Sequence, residues 1–189
     1  MIKKSIKVIL LLLIIINFLY FSYIETKELN MKYTEKIIIK NEKNYNVINQ
    51  EHIGILRIEK IKLEKIFYDK YNSKNNIEEN ITIMKESNMP NITNGNLIIG
   101  AHSGSGYIAF FNDLNKLEKG DIASVEYQGK EYIYQIENKY LDDRNGKITI
   151  RREKDKNTLT LFTCNNNDKN NYLVIIAYKI KVNEEKLLH

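Results

Sequence analysis

The sequence predicts a mainly-β protein, a closed or partly open barrel placed behind an apolar N-terminal segment. Three observations carry this prediction. From Ile53 onward the chain breaks into short β-like runs separated by Gly and Asn turns. A single stretch there shows helical spacing. No internal repeat is visible, and the 189 residues, less the N-terminal segment, leave room for one domain with a core of its own.

The N-terminal segment comes first. Val8 to Ile24 reads as 17 residues without a charge, which at helical rise spans roughly 25 Å, near the lower limit for a bilayer. Lys3, Lys4 and Lys7 precede it and favour a cytoplasmic N-terminus. Tyr20, Phe21 and Tyr23 cluster at its far end, where aromatic rings favour the interface. No small-residue cleavage site follows, since Glu25-Thr26-Lys27-Glu28 is bulky and charged. The expectation is that residues 1–24 form a cytoplasmic tip and an uncleaved, single-pass transmembrane signal anchor in the cell membrane, with the remainder outside. Residues 25–50 are polar, apart from Ile37-Ile38-Ile39, and read as a stalk. Residues 51–189 form the domain proper.

Within that domain, Ile53 to Ile58 and Ile61 to Leu63 read as an opening strand with a bend. Leu97-Ile98-Ile99-Gly100 is a short buried run that ends near His102. Phe110, Phe111, Leu114 and Leu117 share a face at three- and four-residue spacing, which predicts a helical turn over 108–117. Asp121 to Tyr127 and Tyr132 to Ile136 flank Gln128-Gly129-Lys130, a hairpin signal. Thr158 to Cys164 and Tyr172 to Val182 form a last pair joined by an Asn-rich loop.

Charge and cysteine content narrow the function. Of the net charge of +5, three units come from the lysines ahead of the apolar run, leaving +2 for the rest. No sustained basic run or basic–aromatic stripe follows, so nucleic acid is excluded as a partner. The single cysteine rules out an intrachain disulfide. With no Cys-x-x-Cys or His-x-x-x-His companion, it also disfavours a metal site, and no cofactor is expected.

A thiol becomes a useful nucleophile when a neighbouring imidazole takes its proton. The chain has three histidines. His52 precedes the first strand and His189 ends the chain; both read as solvated bystanders. His102 instead closes a buried run and opens into Ser103-Gly104-Ser105-Gly106, and Cys164 closes a strand and opens a polar loop. On spacing alone two readings stand: a reactive pair at two strand ends, or a Cys packed as a small hydrophobe and a His satisfied by a backbone carbonyl.

Four segments carry a resemblance. Gly95 to Gly104 resembles the histidine motif of the sortase family, and Thr158 to Cys164 resembles its TLxTC motif. Phe111-x-x-Leu114-x-x-Leu117-x-x-Gly120-Asp121 and the opening strand Ile53 to Ile61 are similar to the family's in the same order, with Glu59 where members often carry Pro. The likeness covers about residues 51–182. It implies a sortase-type barrel of about eight strands with short helices, class A-like or class D-like, and a cysteine transpeptidase with Cys164 as nucleophile and His102 as its acid–base partner. It implies partners too: secreted proteins with an LPxTG-like sorting motif, and an amine acceptor from a cell-wall precursor or another protein of a Gram-positive envelope. The absence of a second apolar span at the C-terminus argues against the pilus-polymerising type.

The sequence departs from the family at one place. Sortases carry an arginine at the start of the strand after the cysteine loop, where this chain has Tyr172; all four arginines (Arg57, Arg144, Arg151, Arg152) precede Cys164. Three readings stay open. Tyr172 donates its phenolic O–H to the oxyanion; Arg151, Arg152 or Lys169 swings in; or the protein is a sortase-like fold with weak or no activity that binds envelope partners. A cysteine peptidase using the same pair for hydrolysis is the nearest enzymatic alternative.

Overall fold

The computed structural model describes the backbone of residues 2–42 and 52–184, and the side chains of residues 11–31 and 52–184. His189 and the last part of the expected stalk lie outside the described residues. The chain divides into two units, Met1–Asn46 and Val47–His189.

The first unit is one helix, α1 (Ile2–Glu42). It covers the apolar run and continues through most of the segment expected as a stalk. That extension follows from composition, because Glu, Lys, Leu and Met are all good helix formers even where no face is apolar. Leu11 to Tyr23 present large apolar side chains in the open, among them Phe18 at 73 % and Phe21 at 69 % exposure. Among the described residues no helix is long and apolar enough to cross a membrane. The apolar run is only 17 residues long, and charges resume at Glu25.

The second unit is a single eight-stranded sheet. Its strands are β1 (Gly54–Ile58), β2 (Leu63–Phe67), β3 (Thr82–Ile83), β4 (Asn96–Gly100), β5 (Ile122–Tyr127), β6 (Lys130–Asp143), β7 (Thr158–Cys164) and β8 (Asn171–Glu184). They lie in the order β2-β1-β5-β6-β8-β7-β4-β3. All pairs are antiparallel except β4 with β7. The sheet wraps into a nearly closed barrel whose terminal strands are β2 and β3, and Asn80, just before β3, donates its side-chain amide to Ile66 O of β2 at 2.9 Å. All eight strands contribute to one core, including Leu56, Phe67, Ile83, Ile99, Val125, Ile136, Leu161 and Ile175.

Local sequence explains the joints. Gln128 and Gly129 both hold positive φ, 52° and 68°, which is the two-residue type I′ turn that matches strand twist. Phe111, Leu114 and Leu117 are fully buried around a short 3-10 turn (Leu114–Lys116), as their spacing predicts. The expected strand ending at Ile136 runs instead to Asp143. A bulge lies between Ile136 and Asn138, where Ile136 faces Ala177 and Asn138 faces Ile176. The extra residue, Glu137, resets the alternation of side chains. Tyr132, Tyr134 and Ile136 point into the core, whereas Tyr140 packs on the other face of the sheet with Phe162, Val174 and Ile176.

Candidate active site

The site is built by register. Along β7, Leu159 and Leu161 enter the core, so Phe162 and Cys164 project from the opposite face; on β4 the same holds for Ile98, and on β8 for Tyr172, Val174 and Ile176. The parallel β4–β7 ladder pairs each β4 residue with the β7 residue 62 positions later, from Asn96↔Thr158 to Gly100↔Phe162. The ladder ends two residues before His102 on one strand and two residues before Cys164 on the other. Cys164 faces Tyr172, and Tyr172 faces Asp142. Cys164, Tyr172 and Asp142 thus form a row across three adjacent strands on one face, and His102 lies two residues past the end of β4.

Hydrogen bonds hold the strand ends together. The N–H of Ala101 donates to Phe162 O at 3.3 Å, and the buried Thr163 hydroxyl donates to Ala101 O at 2.8 Å. The Ser103 hydroxyl donates to Cys164 O. Asn112 links both loops: its Oδ1 accepts from Gly104 N and from the Asn166 amide (3.2 Å), and its Nδ2 donates to Gly104 O at 2.7 Å. His102 Nε2 lies 3.2 Å from Glu78 Oε1. With Nε2–H donating to that carboxylate, Nδ1 is left as the ring's acceptor.

Cys164 is half-buried and opens onto a cleft of about 750 Å³. The cleft is lined by Ser103 and Ser105 from the loop after His102, by Asn165, Asn166 and Lys169 from the loop after Cys164, and by Asn112 and Arg144. Among the described residues no group of three or more His, Cys, Asp and Glu is arranged to hold a metal ion.

The second face has an apolar floor. Phe162 meets Tyr172 edge-on, with centroids 6.2 Å apart. The segment after β6 covers this floor with Ile148 and Ile150. Asp142 accepts from Thr149 N at 2.6 Å, and the Tyr140 hydroxyl bridges Thr149 O and Arg151 N. Burial pushes the Tyr140 phenol up, so it remains a donor. Gly100 lies directly under Phe162: an added Cβ would meet the ring at 2.5 Å. Gly100→Ala is therefore expected to displace Phe162 and cost about 1–3 kcal/mol. Urea unfolding checks this, and an unchanged midpoint would mean the ring has room to yield.

One expectation is corrected by these placements. His52 is buried (5 % exposed), not solvated, because it sits where the chain enters β1. Arg151 and Arg152 are held away from the cleft. Arg151 lies over the Tyr140 ring and 3.6 Å from Asp142, while Arg152 donates to Glu153 O, Lys156 O, Thr158 Oγ1 and Asn94 O. Lys169 does line the cleft. Sequence reading passed over Glu78, Asn112 and Arg144. Only Arg144 left a usable signal, the turn-forming Asn145-Gly146 that follows it at a strand end.

A family model described as a sortase domain matches residues 56–180, which include the His102 and Cys164 strands and most of the barrel. The chain belongs to the sortase family. Sortases are cysteine transpeptidases, and this barrel carries the chain's one cysteine, Cys164, at the end of β7. Among solved structures, sortase C of Streptococcus pneumoniae is similar at 22 % identity and a TM-score of 0.62, over 71 % of each chain. The Clostridium perfringens sortase D5 transpeptidase is similar at 21 % identity and 0.59, over 79 % of this chain and 89 % of that one. A lid mutant of sortase A from Corynebacterium diphtheriae is similar at 18 % and 0.62, over 71 % and 73 %. At these identities the sortase likeness is one of fold. No curated protein matches the chain in sequence.

Proposed function

We propose that this sortase cleaves a C-terminal sorting motif of the LPxTG kind in secreted proteins and passes the acyl group to an amine. The amine comes from a cell-wall precursor or from another protein. The observation that supports the reading is the parallel β4–β7 pairing, whose last pair, Gly100↔Phe162, lies two residues before both His102 and Cys164.

The chemistry follows from His102 and Cys164. The Cys164 thiol gives its proton to His102, and the thiolate attacks the scissile carbonyl. A C–S bond forms, and the carbonyl π pair moves onto oxygen. As the tetrahedral intermediate collapses, the C–N bond breaks and His102 returns its proton to the leaving amine. A thioacyl-enzyme remains. The incoming amine attacks it, gives a proton to His102, and releases Cys164. Asn112 keeps the two loops in one geometry throughout, which is what a pair that must exchange a proton needs.

The N-terminal helix suits a membrane attachment for this work, with its N-terminus cytoplasmic and the barrel outside. The uncharged run of 17 residues behind three lysines, and its exposed apolar side chains, support that assignment. Such an attachment would keep the barrel where secreted substrates and wall precursors both pass.

Incubating the full chain with a Leu-Pro-x-Thr-Gly peptide library should give an acyl adduct on Cys164 by intact-protein mass spectrometry. Glycine or a diaminopimelate-type amine should discharge it. Peptide binding without any adduct would favour the alternative that Tyr172 suggests, a sortase fold that binds envelope proteins without turnover. An adduct discharged by water alone would mean a peptidase.

A further inference from the structure

The cleft beside Cys164 holds a guanidinium that the mechanism above leaves unused. Arg144 follows the last residue of β6, and its N–H donates to Asn170 O at 2.8 Å, one step beyond the Asp143↔Asn171 pair. The bulge at Glu137 gives this end of β6 the same facing as Tyr172 and Cys164. Arg144 Cζ stands over the Tyr172 ring, 5.8 Å from its centroid, and Tyr172 is the register partner of Cys164. The side chain is exposed into the cleft.

Its charge is also available. No carboxylate among the described residues pairs with Arg144, and its Nη1 makes a single long contact to Lys169 O at 3.5 Å. The carboxylate of the cleft, Asp113, is held by Lys116 at 2.9 Å. The other arginines are engaged elsewhere, Arg57 by Glu64 and Glu126, Arg151 and Arg152 by the partners given above.

We propose that Arg144 is a catalytic residue that binds the acyl oxygen of the substrate, so that β6 supplies the guanidinium that β8 lacks. The inference rests on the transpeptidase reading. When the Cys164–carbon bond forms, the displaced π pair becomes an oxyanion, and the planar fork of Arg144 donates two hydrogen bonds to it. On collapse the pair returns and the C–N bond breaks. Arg144 exchanges no proton, since a guanidinium stays charged. Tyr172 is then a positioning residue, whose ring fixes the plane of the fork by stacking.

The test is single-turnover acylation of the full chain in detergent by a Leu-Pro-x-Thr-Gly peptide, with iodoacetamide alkylation of Cys164 beside it. Alkylation is a displacement at a saturated carbon and develops no oxyanion. Arg144→Ala should slow acylation by about 10²–10³-fold and leave alkylation unchanged, and Arg144→Lys should restore part of the rate. Tyr172→Phe should keep the rate, because stacking needs the ring and not the hydroxyl, while Tyr172→Ala should lower it by a smaller factor than Arg144→Ala. Equal acylation by Arg144→Ala and wild type overturns the proposal alone. So does a loss in Tyr172→Phe as large as in Arg144→Ala, which would make the phenol the donor, or a parallel fall in alkylation, which would place the effect on the thiol. Failure of the wild type to acylate takes down the transpeptidase reading itself, and this inference with it.

Discussion

Cys164→Ala is expected to abolish the acyl adduct and to lower transfer of a sorting-motif peptide by about 10⁴–10⁶-fold. The substitution removes the atom that forms the covalent bond, and nothing else in the row can replace it. Its register partner is Tyr172, which is no thiol, and the sequence holds no second cysteine. The fold should survive, because Cys164 is half-buried at the last position of β7, and its backbone carbonyl still accepts from Ser103. Thermal unfolding within a few degrees of wild type would establish that. His102→Ala should produce a loss of similar order. The double variant should then be little worse than either single one, because residues acting as one unit give strongly non-additive losses. Losses that multiplied would mean independent roles, and would break the proton exchange on which the mechanism depends. Full processing by Cys164→Ala would end the transpeptidase mechanism outright.

Where local chemistry decides structure, the sequence was readable. The Gln128-Gly129 turn, the β7 strand ending at Cys164, and the buried face of Phe111, Leu114 and Leu117 all lie where pattern and turn residues put them. Where one residue resets the pattern, it was not. Period-two alternation holds from Tyr132 to Ile136 and is then shifted by Glu137, so β6 looked finished seven residues early. That shift carries the strand on to Asp143, next to Arg144, beyond the point where the alternation visible in the sequence stops. β3 has two residues, too few to show any period. Beyond Glu25 polarity suggests a stalk, whereas the helix propensity of its Glu, Lys, Leu and Met residues carries α1 on to Glu42. His102 and Cys164 could be picked out near strand ends, but the β4–β7 register that joins their two segments is a long-range pairing that no local pattern encodes.

Phe111→Ala should be the most destabilising of the substitutions considered, costing about 3–5 kcal/mol out of a total that for such domains is about 5–15 kcal/mol. Phe111 has no exposed surface and fills the core with Leu114 and Leu117. Its neighbour Phe110 is only partly buried, with Lys65 Nζ 3.9 Å from its ring centroid. Phe110→Ala should therefore cost distinctly less, and equal costs in urea unfolding would refute the packing account. The substitution also probes the site. Phe111 N–H donates to His102 O at 3.0 Å, closing the loop that carries Ser103 and Gly104. Alanine keeps that N–H but leaves a cavity beneath it, into which the loop can relax. Misplacing His102 by about 1 Å lowers transfer by up to about 10²-fold, so the folded variant, assayed well below its melting temperature, should be slow as well as fragile. An acylation rate equal to wild type would show that Ser103 and Asn112 hold the loop without help from the core. A slow rate would make the buried phenyl ring the link between the stability of the barrel and the placement of its histidine.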